Sequence, residues 1–208
     1  MKKFLEKYSY ESVRLFLNQF AISLFGLTLA LAAGMMGSST LKVASSIGAI
    51  IFYLFLQYTV AWEVGSKDKI SIDCKKAKRD MSIPVKMWLL SNSLNLLIAV
   101  LITLGHLLSN VGLFSSLGGI ASVIAFIIEG EYMGVLSIRI APETPLNSLF
   151  FMYYLITIPS LITVVISYFL GVTGRGATKM LVNSYPESDR PDKKSFLDKI
   201  DREFKNKH

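Results

Sequence analysis

The chain contains very few of the residues from which catalytic and metal sites are usually built. Its one cysteine, Cys74, cannot form an internal disulfide, and its two histidines, His106 and His208, are too few for a zinc-type cluster. The sequence also lacks a nucleophile elbow, an HExxH motif and a phosphate-binding GxxxxGKS/T loop. These absences predict a protein that is not an enzyme and that uses no metal and no cofactor.

Charge is missing from long stretches of the chain. Of the 22 Lys and Arg residues, all but Lys42 and Arg139 lie within residues 1–14, 63–86 and 175–208. A helix needs roughly 20 apolar residues to cross about 30 Å of hydrocarbon. Five apolar stretches come near or exceed that length: 15–34, 43–62, 84–108, 112–128 and 147–170. We therefore expect an all-α polytopic transmembrane bundle. Its net charge of +7 would meet anionic lipid headgroups rather than nucleic acid.

The positions of the basic residues predict how the bundle is oriented. Residues 1–14 read as an amphipathic lead-in, 63–86 as a basic loop, and 175–208 as a charged tail with a short amphipathic helix over 192–207. By the positive-inside rule all three segments should be cytoplasmic. The sequence thus divides into a transmembrane bundle over 1–174 and a cytoplasmic tail, both belonging to a multi-pass protein of the cell membrane.

The tail can lie on the cytoplasmic side only if the segment 112–141 crosses the membrane an even number of times or not at all. Five simple crossings from a cytoplasmic N-terminus would leave the positively charged tail outside. Glu129, Gly130 and Glu131 interrupt the apolar run, and the roughly ten residues that follow reach only about half of a bilayer. We expect a broken or re-entrant helical segment here beside four full spans, which makes five to six membrane segments. The alternative is one long tilted helix over 112–140 with an external tail.

Polar residues within the apolar stretches predict a polar seam. In the third stretch Asn92, Asn95, Ala99, Thr103 and His106 share one helical stripe. An asparagine that faced lipid would leave its amide group unsatisfied at several kcal/mol, so this stripe should face protein or water. Such a seam could line a solute path, or it could only join helices by hydrogen bonds. The candidate residues are Asn92, Asn95, Thr103, Glu129, Arg139, Thr157, Ser160 and Gln57.

Glu129 is the ionisable residue that we expect at membrane depth. A carboxyl group in that position is a functional-site hypothesis by default, here a proton or cation site. Arg139 is the only cation in the segment and its expected counter-ion, although pairing would need a bend at Gly130. The alternative is that Glu129 and Glu131 lie in water at the interface.

Two further patterns concern helix packing and helix shape. Gly26, Ala30 and Gly34 recur every four residues on the first stretch, which predicts a surface for close helix–helix contact. Pro159 lies in the middle of the last stretch, where it should kink the helix because it removes a backbone hydrogen bond.

Three segments together resemble a known group of proteins. They are YTVAWEVGSKD at 58–68, the stretch that contains Asn92 and Asn95, and YFLG at 168–171. They resemble an uncharacterised family of small multi-pass membrane proteins of Gram-positive bacteria, over residues from about 58 to 174. Because that family has no assigned function, the resemblance implies a bacterial plasma membrane and nothing catalytic.

Two functions are compatible with these features. The first is a small transporter, or the membrane subunit of a transport complex, which would use the polar seam. The alternative is a non-transporting accessory protein, such as an assembly, immunity or signalling partner. It would use the small-residue face or the tail to bind a membrane or cytoplasmic protein. A homo-oligomer is compatible with either function.

Overall fold

The computed structural model describes residues 2–75, 80–141 and 144–174, and it is mostly helical. The predicted tail over 175–208, with its amphipathic helix, lies outside the described residues. So do residues 76–79 of the basic loop and residues 142–143. The statements below concern the described residues.

Two long helices begin the chain. Helix α1 spans Lys2–Met35 and helix α2 spans Ser39–Asp73. The predicted lead-in is therefore part of α1 rather than a separate element. Helix α2 continues past Trp62 into the predicted basic loop, so the loop prediction is wrong up to Asp73. Local charge pairing supports this extension, because the ammonium group of Lys67 lies 2.9 Å from the carboxylate of Glu63 at helical i,i+4 spacing.

The third apolar stretch forms two helices instead of one. Helix α3 (Ile83–Ser91) and helix α4 (Ser93–Leu107) meet at Asn92 with a 60° bend. At the bend, the side chains of Ser91 and Asn92 both donate to the carbonyl oxygen of Trp88, at 3.0 and 3.2 Å. Such local bonds compete with the helical ladder. The predicted stripe therefore begins at the bend and continues along α4, and His106 at its far end is exposed.

A proline and an aspartate mark the start of helix α3. Pro84 lies in its first turn, where a missing N–H costs no hydrogen bond. Just before it, Asp80 accepts hydrogen bonds from the backbone N–H of Ser82 at 2.8 Å and from its hydroxyl group at 2.7 Å. These two donors hold the pKa of Asp80 below its ordinary value.

The predicted interruption at Glu129 is present. Helix α5 (Gly112–Ile128) ends there, and the chain turns by 84° into a 3-10 turn at Gly130–Tyr132 and the short helix α6 (Met133–Leu136). Two short strands follow, which the all-α prediction did not include. Strand β1 (Arg139–Ala141) pairs antiparallel with strand β2 (Thr144–Pro145), and Arg139 lies opposite Pro145.

The last apolar stretch becomes helical later than predicted. A 3-10 turn at Leu146–Ser148 precedes helix α7 (Met152–Leu155) and helix α8 (Ile158–Thr173). Pro159 lies in the first turn of α8 rather than in the middle of a helix. The predicted mid-helix kink is therefore wrong, since in a first turn the proline removes no helical hydrogen bond.

Three helical stretches are long and apolar enough to cross a membrane: Phe4–Met35, Ser39–Asp73 and Met152–Thr173. The number rises to five if each bent pair, α3 with α4 and α5 with α6, counts as one span. This length and composition are compatible with a membrane location.

Glycine pairs allow the helices to approach closely. Helices α2 and α8 meet at Gly65 and Gly171, where an added Cβ atom would collide with the backbone of the other helix. Helices α4 and α5 meet at Gly105 and Gly118 in the same way, and a Cβ on Gly105 would lie 2.5 Å from the Cα of Gly118. Small residues at such contacts replace the hydrophobic driving force that is missing between helices in lipid.

The small-residue face predicted on α1 is used only in part. Gly26 and Ala30 are buried, but Gly34 is exposed and an added Cβ atom there would meet nothing within 4 Å. Ala33, rather than Gly34, continues the buried face. The buried face therefore drifts around α1, because four residues exceed one helical turn of 3.6.

Candidate functional site

The break after α5 brings two carboxyl groups into the interior of the bundle. Glu129 is 2% exposed and Glu131 is fully buried. The backbone N–H of Glu129 closes the last turn of α5 by donating to the carbonyl oxygen of Ala125 at 2.8 Å. The 3-10 turn then carries Glu131 and Tyr132 inward beside α1 and α2.

Side chains and glycines on the neighbouring helices hold the break in place. The hydroxyl group of Ser23 on α1 donates to the carbonyl oxygen of Ile127 at 2.5 Å and accepts the N–H of Gly130 at 2.6 Å. Gly26 lets the turn approach α1, because an added Cβ atom would lie 2.6 Å from the Cα of Glu131. On α2, the hydroxyl oxygen of Ser46 accepts the N–H of Gly134 at 2.6 Å. An irregular backbone within a membrane protein needs such partners.

The carboxyl groups themselves have no such partners. Among the described residues, none donates a hydrogen bond to any of the four carboxylate oxygens of Glu129 and Glu131. The side chains of Gln19 and Ser23 lie beside Glu131, but neither has the geometry of a hydrogen bond to its carboxylate oxygens. Buried polar groups are usually hydrogen-bonded, so unsatisfied oxygens of this kind indicate either a bound species or a functional role.

Tyrosine and glutamine side chains complete the surroundings. Tyr53 on α2 lies near both carboxyl groups and donates its hydroxyl hydrogen to the hydroxyl oxygen of Ser160 on α8, at 3.0 Å. Its ring meets that of Tyr132 edge-on, with 6.5 Å between centroids. One turn along α2, Gln57 donates from Nε2 to the carbonyl oxygen of Leu15 at 3.0 Å.

Three more buried oxygens in this region lack a partner among the described residues: Gln19 Oε1, Gln57 Oε1 and Tyr132 Oη. We refer to the whole group as the carboxylate cluster; its members are Gln19, Tyr53, Gln57, Glu129, Glu131, Tyr132 and Ser160. The cluster combines hard oxygen atoms from three helices and from the break after α5, and such atoms suit a proton or a hard cation.

The structure brings together some of the predicted seam residues and separates others. Gln57, Glu129 and Ser160 all belong to the carboxylate cluster. Asn92 and Asn95 are buried at the bend between α3 and α4, where Asn95 Nδ2 donates to Asn92 Oδ1 at 3.2 Å. There they support the bend, although Asn95 Oδ1 has no partner among the described residues.

The two threonines of the predicted seam bond mainly to their own helices. The hydroxyl of Thr103 donates to the carbonyl oxygen of Ala99 at 2.8 Å and lies 3.1 Å from the hydroxyl oxygen of Tyr154. Thr157 donates to the carbonyl oxygen of Tyr154 at 2.8 Å. Hydroxyl groups that bond back to their own helix are common in membrane helices.

Arg139 does not serve as the counter-ion of Glu129. It lies on the exposed strand β1, whereas Glu129 is buried and its carboxylate oxygens accept no hydrogen bond from any described residue. The expected pairing is therefore wrong. The strand after α6 carries Arg139 to the surface, an arrangement that the sequence did not predict.

Sequence reasoning missed several members of the cluster. It noted Glu131 only as an interface residue, named Tyr53 beside Gln57 as a residue that could join the seam, and did not place Gln19 or Tyr132 there. Gln19 gave one signal, because an amide in the middle of an apolar stretch needs a polar partner.

Another buried carboxylate, Asp68 on α2, has the opposite environment. It is 4% exposed and accepts hydrogen bonds from the hydroxyl groups of Tyr8 and Tyr168, at 2.9 and 2.8 Å. The ammonium group of Lys7 lies 2.7 Å from its other oxygen. Asp68 thus joins α1, α2 and α8 as a fully bonded group, which is typical of a structural role.

No protein-family model, curated protein or solved structure matches this chain. Among the described residues, no group of three or more His, Cys, Asp and Glu side chains could hold a metal ion.

Proposed function

We propose that this protein is a small integral membrane transporter, or the membrane subunit of a transport complex, in which Glu129 and Glu131 bind the coupling proton or cation. One observation carries this proposal: all four carboxylate oxygens are buried at a helix break and lack a hydrogen-bond partner among the described residues. An uncompensated buried charge costs several kcal/mol. A bound proton or cation removes that cost, and reversible binding at membrane depth is what coupled transport requires.

The depth of the site supports this function. Gly26, which contacts the backbone of Glu131, lies nine residues before Met35 at the end of α1. At 1.5 Å per residue this is about 14 Å along the helix, or about half of the hydrocarbon thickness. An ion at this position would have to cross roughly half of the membrane from either side.

The proposed topology has the N-terminus, the 63–86 segment and the tail in the cytoplasm, with α5 and α6 as a re-entrant segment. Gly130 packs against Ser23, and Gly134 packs against Lys42 in the first turn of α2. The chain after Glu129 thus returns toward the link between α1 and α2. With α1, α2, α3–α4 and α7–α8 as crossings, the tail returns to the side of the N-terminus, as its charge requires. We assign this membrane to the bacterial cell surface on the basis of the resemblance to Gram-positive proteins.

The accessory function is the weaker of the two hypotheses. Its main support was the small-residue face on α1, but Gly26 contacts the backbone of Glu131 within the same chain. That part of the face is therefore not available for a partner. The other support was the tail, which lies outside the described residues.

Ion flux into proteoliposomes tests the proposal. The purified protein is reconstituted, a potassium diffusion potential is imposed with valinomycin, and proton or sodium entry is followed with an enclosed dye. We expect flux with the natural protein and a loss of about tenfold or more in Glu131→Gln and Glu129→Gln, which keep the side-chain shape but cannot ionise.

The matched control is Asp80→Asn, which removes an exposed carboxylate outside the apolar helices and should leave the flux unchanged. Equal flux in the natural protein and all three variants would contradict the proposal. Purification from native membranes in mild detergent, followed by mass spectrometry, separates an autonomous transporter from a subunit. A subunit would retain a stoichiometric membrane or ATPase partner, and the flux assay would then use that complex.

A further inference from the structure

A groove of about 390 Å³ lies between α1 and the junction of α3 and α4. Four serines line it, Ser9 and Ser12 on α1 and Ser91 and Ser93 at the junction, and we refer to it as the serine groove. Ser9 and Ser93 are exposed, whereas Ser12 and Ser91 are only 1% and 3% exposed. Hydroxyl groups therefore line the groove from the surface into the interior. Its volume has room for several water molecules, at about 30 Å³ each.

The serine groove lies at the charged end of α1. The α1 residues that line it lie within or next to the basic segment 1–14. In that segment the side chains of Lys7 and Arg14 are 48% and 43% exposed. Exposed cations on a membrane helix lie at the boundary between lipid and water. In the proposed topology this boundary is the cytoplasmic one, so the groove faces cytoplasmic water.

A run of hydrogen bonds leads from the buried part of the serine groove into α4. Asn92 donates from Nδ2 to the hydroxyl oxygen of Ser91 at 3.2 Å, and Asn95 donates from Nδ2 to Asn92 Oδ1, also at 3.2 Å. Both asparagines are 1% exposed. The run ends at Asn95 Oδ1, which has no hydrogen-bond partner among the described residues. Because buried amide oxygens usually have a partner, this atom is an open position for a water molecule or a cation.

Helix packing places Asn95 level with Glu129. Helices α4 and α5 run in opposite directions from their glycine contact, and Asn95 and Glu129 lie ten and eleven residues from it, about 15 Å along either helix. Between these levels the two helices share an apolar cluster that includes Ala99 and Ala125. Ala99 lies one turn after Asn95, and Ala125 lies one turn before Glu129. Asn95 and Glu129 therefore form the next layer on the same two helix faces.

We propose that the serine groove and the run from Ser91 through Asn92 to Asn95 form the cytoplasmic entry path of the coupling proton or cation to Glu129. This inference rests on the transport function proposed above. A proton arrives as hydronium, passes along water held by these polar groups and binds the carboxylate of Glu129, which leaves water behind. A cation exchanges its water ligands for the oxygen of Asn95 and then for those of Glu129.

Thiol modification tests the path and its side. In the full-length Cys74→Ser protein, Ser91→Cys places a thiol in the buried part of the groove. Inside-out vesicles are treated with a membrane-impermeant methanethiosulfonate, and the protein is then purified and assayed for proton and sodium flux in proteoliposomes. We expect modification and about tenfold slower flux, because the reagent reacts with a hydrated thiol and then fills the groove. The same reagent applied to intact cells should leave this thiol free.

The matched control is Ser167→Cys in the same background. Ser167 is a fully buried serine near the end of α8, away from the groove walls on α1, α3 and α4. It should stay unmodified and keep its flux. Equal modification at the two positions, no modification of Ser91→Cys, or unchanged flux after its modification would overturn the path. If Ser91→Cys does not fold, Ser12→Cys on the opposite wall takes its place.

Asn95→Leu tests the inner end of the path. Leucine has a similar size but no oxygen, and we expect about tenfold slower flux, with partial recovery in Asn95→Thr, which restores an oxygen. Thermal unfolding is measured beside the flux, and a flux loss that only follows the unfolding midpoint would show a structural role and overturn the path.

The entry path and the transport function can fail separately. Flux that is lost in Glu129→Gln but kept in Asn95→Leu and in modified Ser91→Cys would overturn the path and leave the transport proposal intact. No flux in the natural protein would overturn both.

Discussion

The hydroxyl oxygen of Ser23 accepts a hydrogen bond from the backbone N–H of Gly130, at 2.6 Å, across the interface between α1 and the break after α5. The same hydroxyl group donates to the carbonyl oxygen of Ile127 on the other side of the break. One side chain of the first helix thus satisfies two backbone groups that the fifth helix leaves free. The position of the carboxylate cluster depends on this contact.

Replacing Ser23 with alanine should destabilise the bundle. The variant leaves the N–H of Gly130 and the carbonyl of Ile127 without their partner, at a cost of about 1–3 kcal/mol for a buried unsatisfied group. Thermal unfolding in detergent measures this as a lower midpoint. The control is Ser45→Ala, because the Ser45 hydroxyl donates to the carbonyl oxygen of Leu41 in its own helix. Equal midpoints for the two variants would contradict a bridging role for Ser23.

Two glycines of α1 should respond differently to the same substitution. An added methyl group on Gly26 collides with the backbone of Glu131, whereas on Gly34 it meets nothing within 4 Å. We expect Gly26→Ala to lower stability by about 1–3 kcal/mol, the usual cost of overpacking. Gly34→Ala should be neutral or slightly stabilising because alanine favours the helix. Thermal unfolding of both variants checks this, and a similar effect at the two positions would refute the close contact at Gly26.

Asp68 should contribute more to stability than its neighbour Glu63 on the same helix. Asp68→Ala leaves the buried hydroxyl groups of Tyr8 and Tyr168 without their acceptor, and we expect a loss of about 2–4 kcal/mol. Glu63→Gln breaks exposed ion pairs with Arg14 and Lys67, which are worth less than about 1 kcal/mol. Denaturation in detergent compares the two variants. A smaller effect at Asp68 than at Glu63 would rule out this structural role of Asp68.

Cysteine labelling tests the re-entrant topology. In a Cys74→Ser background, single cysteines replace the exposed residues Ser109 and Ile140, before and after the α5–α6 segment. A membrane-impermeant maleimide applied to intact cells should label both variants. The natural protein, whose exposed Cys74 lies on the cytoplasmic side in the proposed topology, should stay unlabelled until the cells are opened. Labelling of Ile140→Cys only in opened cells would instead support one long crossing helix.

Much of the architecture was predictable because it depends on local properties of the chain. The apolar stretches have the length of membrane helices, and the helices found in the structure cover most of them. The break at Glu129 was also predictable, since adjacent charges and a glycine weaken an apolar helix locally. The bend at Asn92 was not, because nothing in the 84–108 stretch distinguishes an asparagine that bonds across helices from one that bonds back to its own helix.

The composition of the candidate site was only partly predictable. Gln57, Glu129 and Ser160 were named from the sequence, and they do lie in one cluster. Glu131 and Gln19 were not, and Arg139 was assigned to the wrong place. A counter-ion cannot be chosen by charge alone when the backbone between the two residues changes direction. Here the 84° bend and strand β1 separate Glu129 from Arg139.

By itself, the sequence determined that this chain forms apolar helices separated by basic segments, because hydrophobic length and charge are properties of each stretch alone. Only the tertiary structure decided which polar atoms meet. It satisfies the carboxylate of Asp68 with two tyrosines and a lysine, and it leaves those of Glu129 and Glu131 without hydrogen bonds from the described residues. These differences arise from contacts between distant segments, which no local pattern encodes.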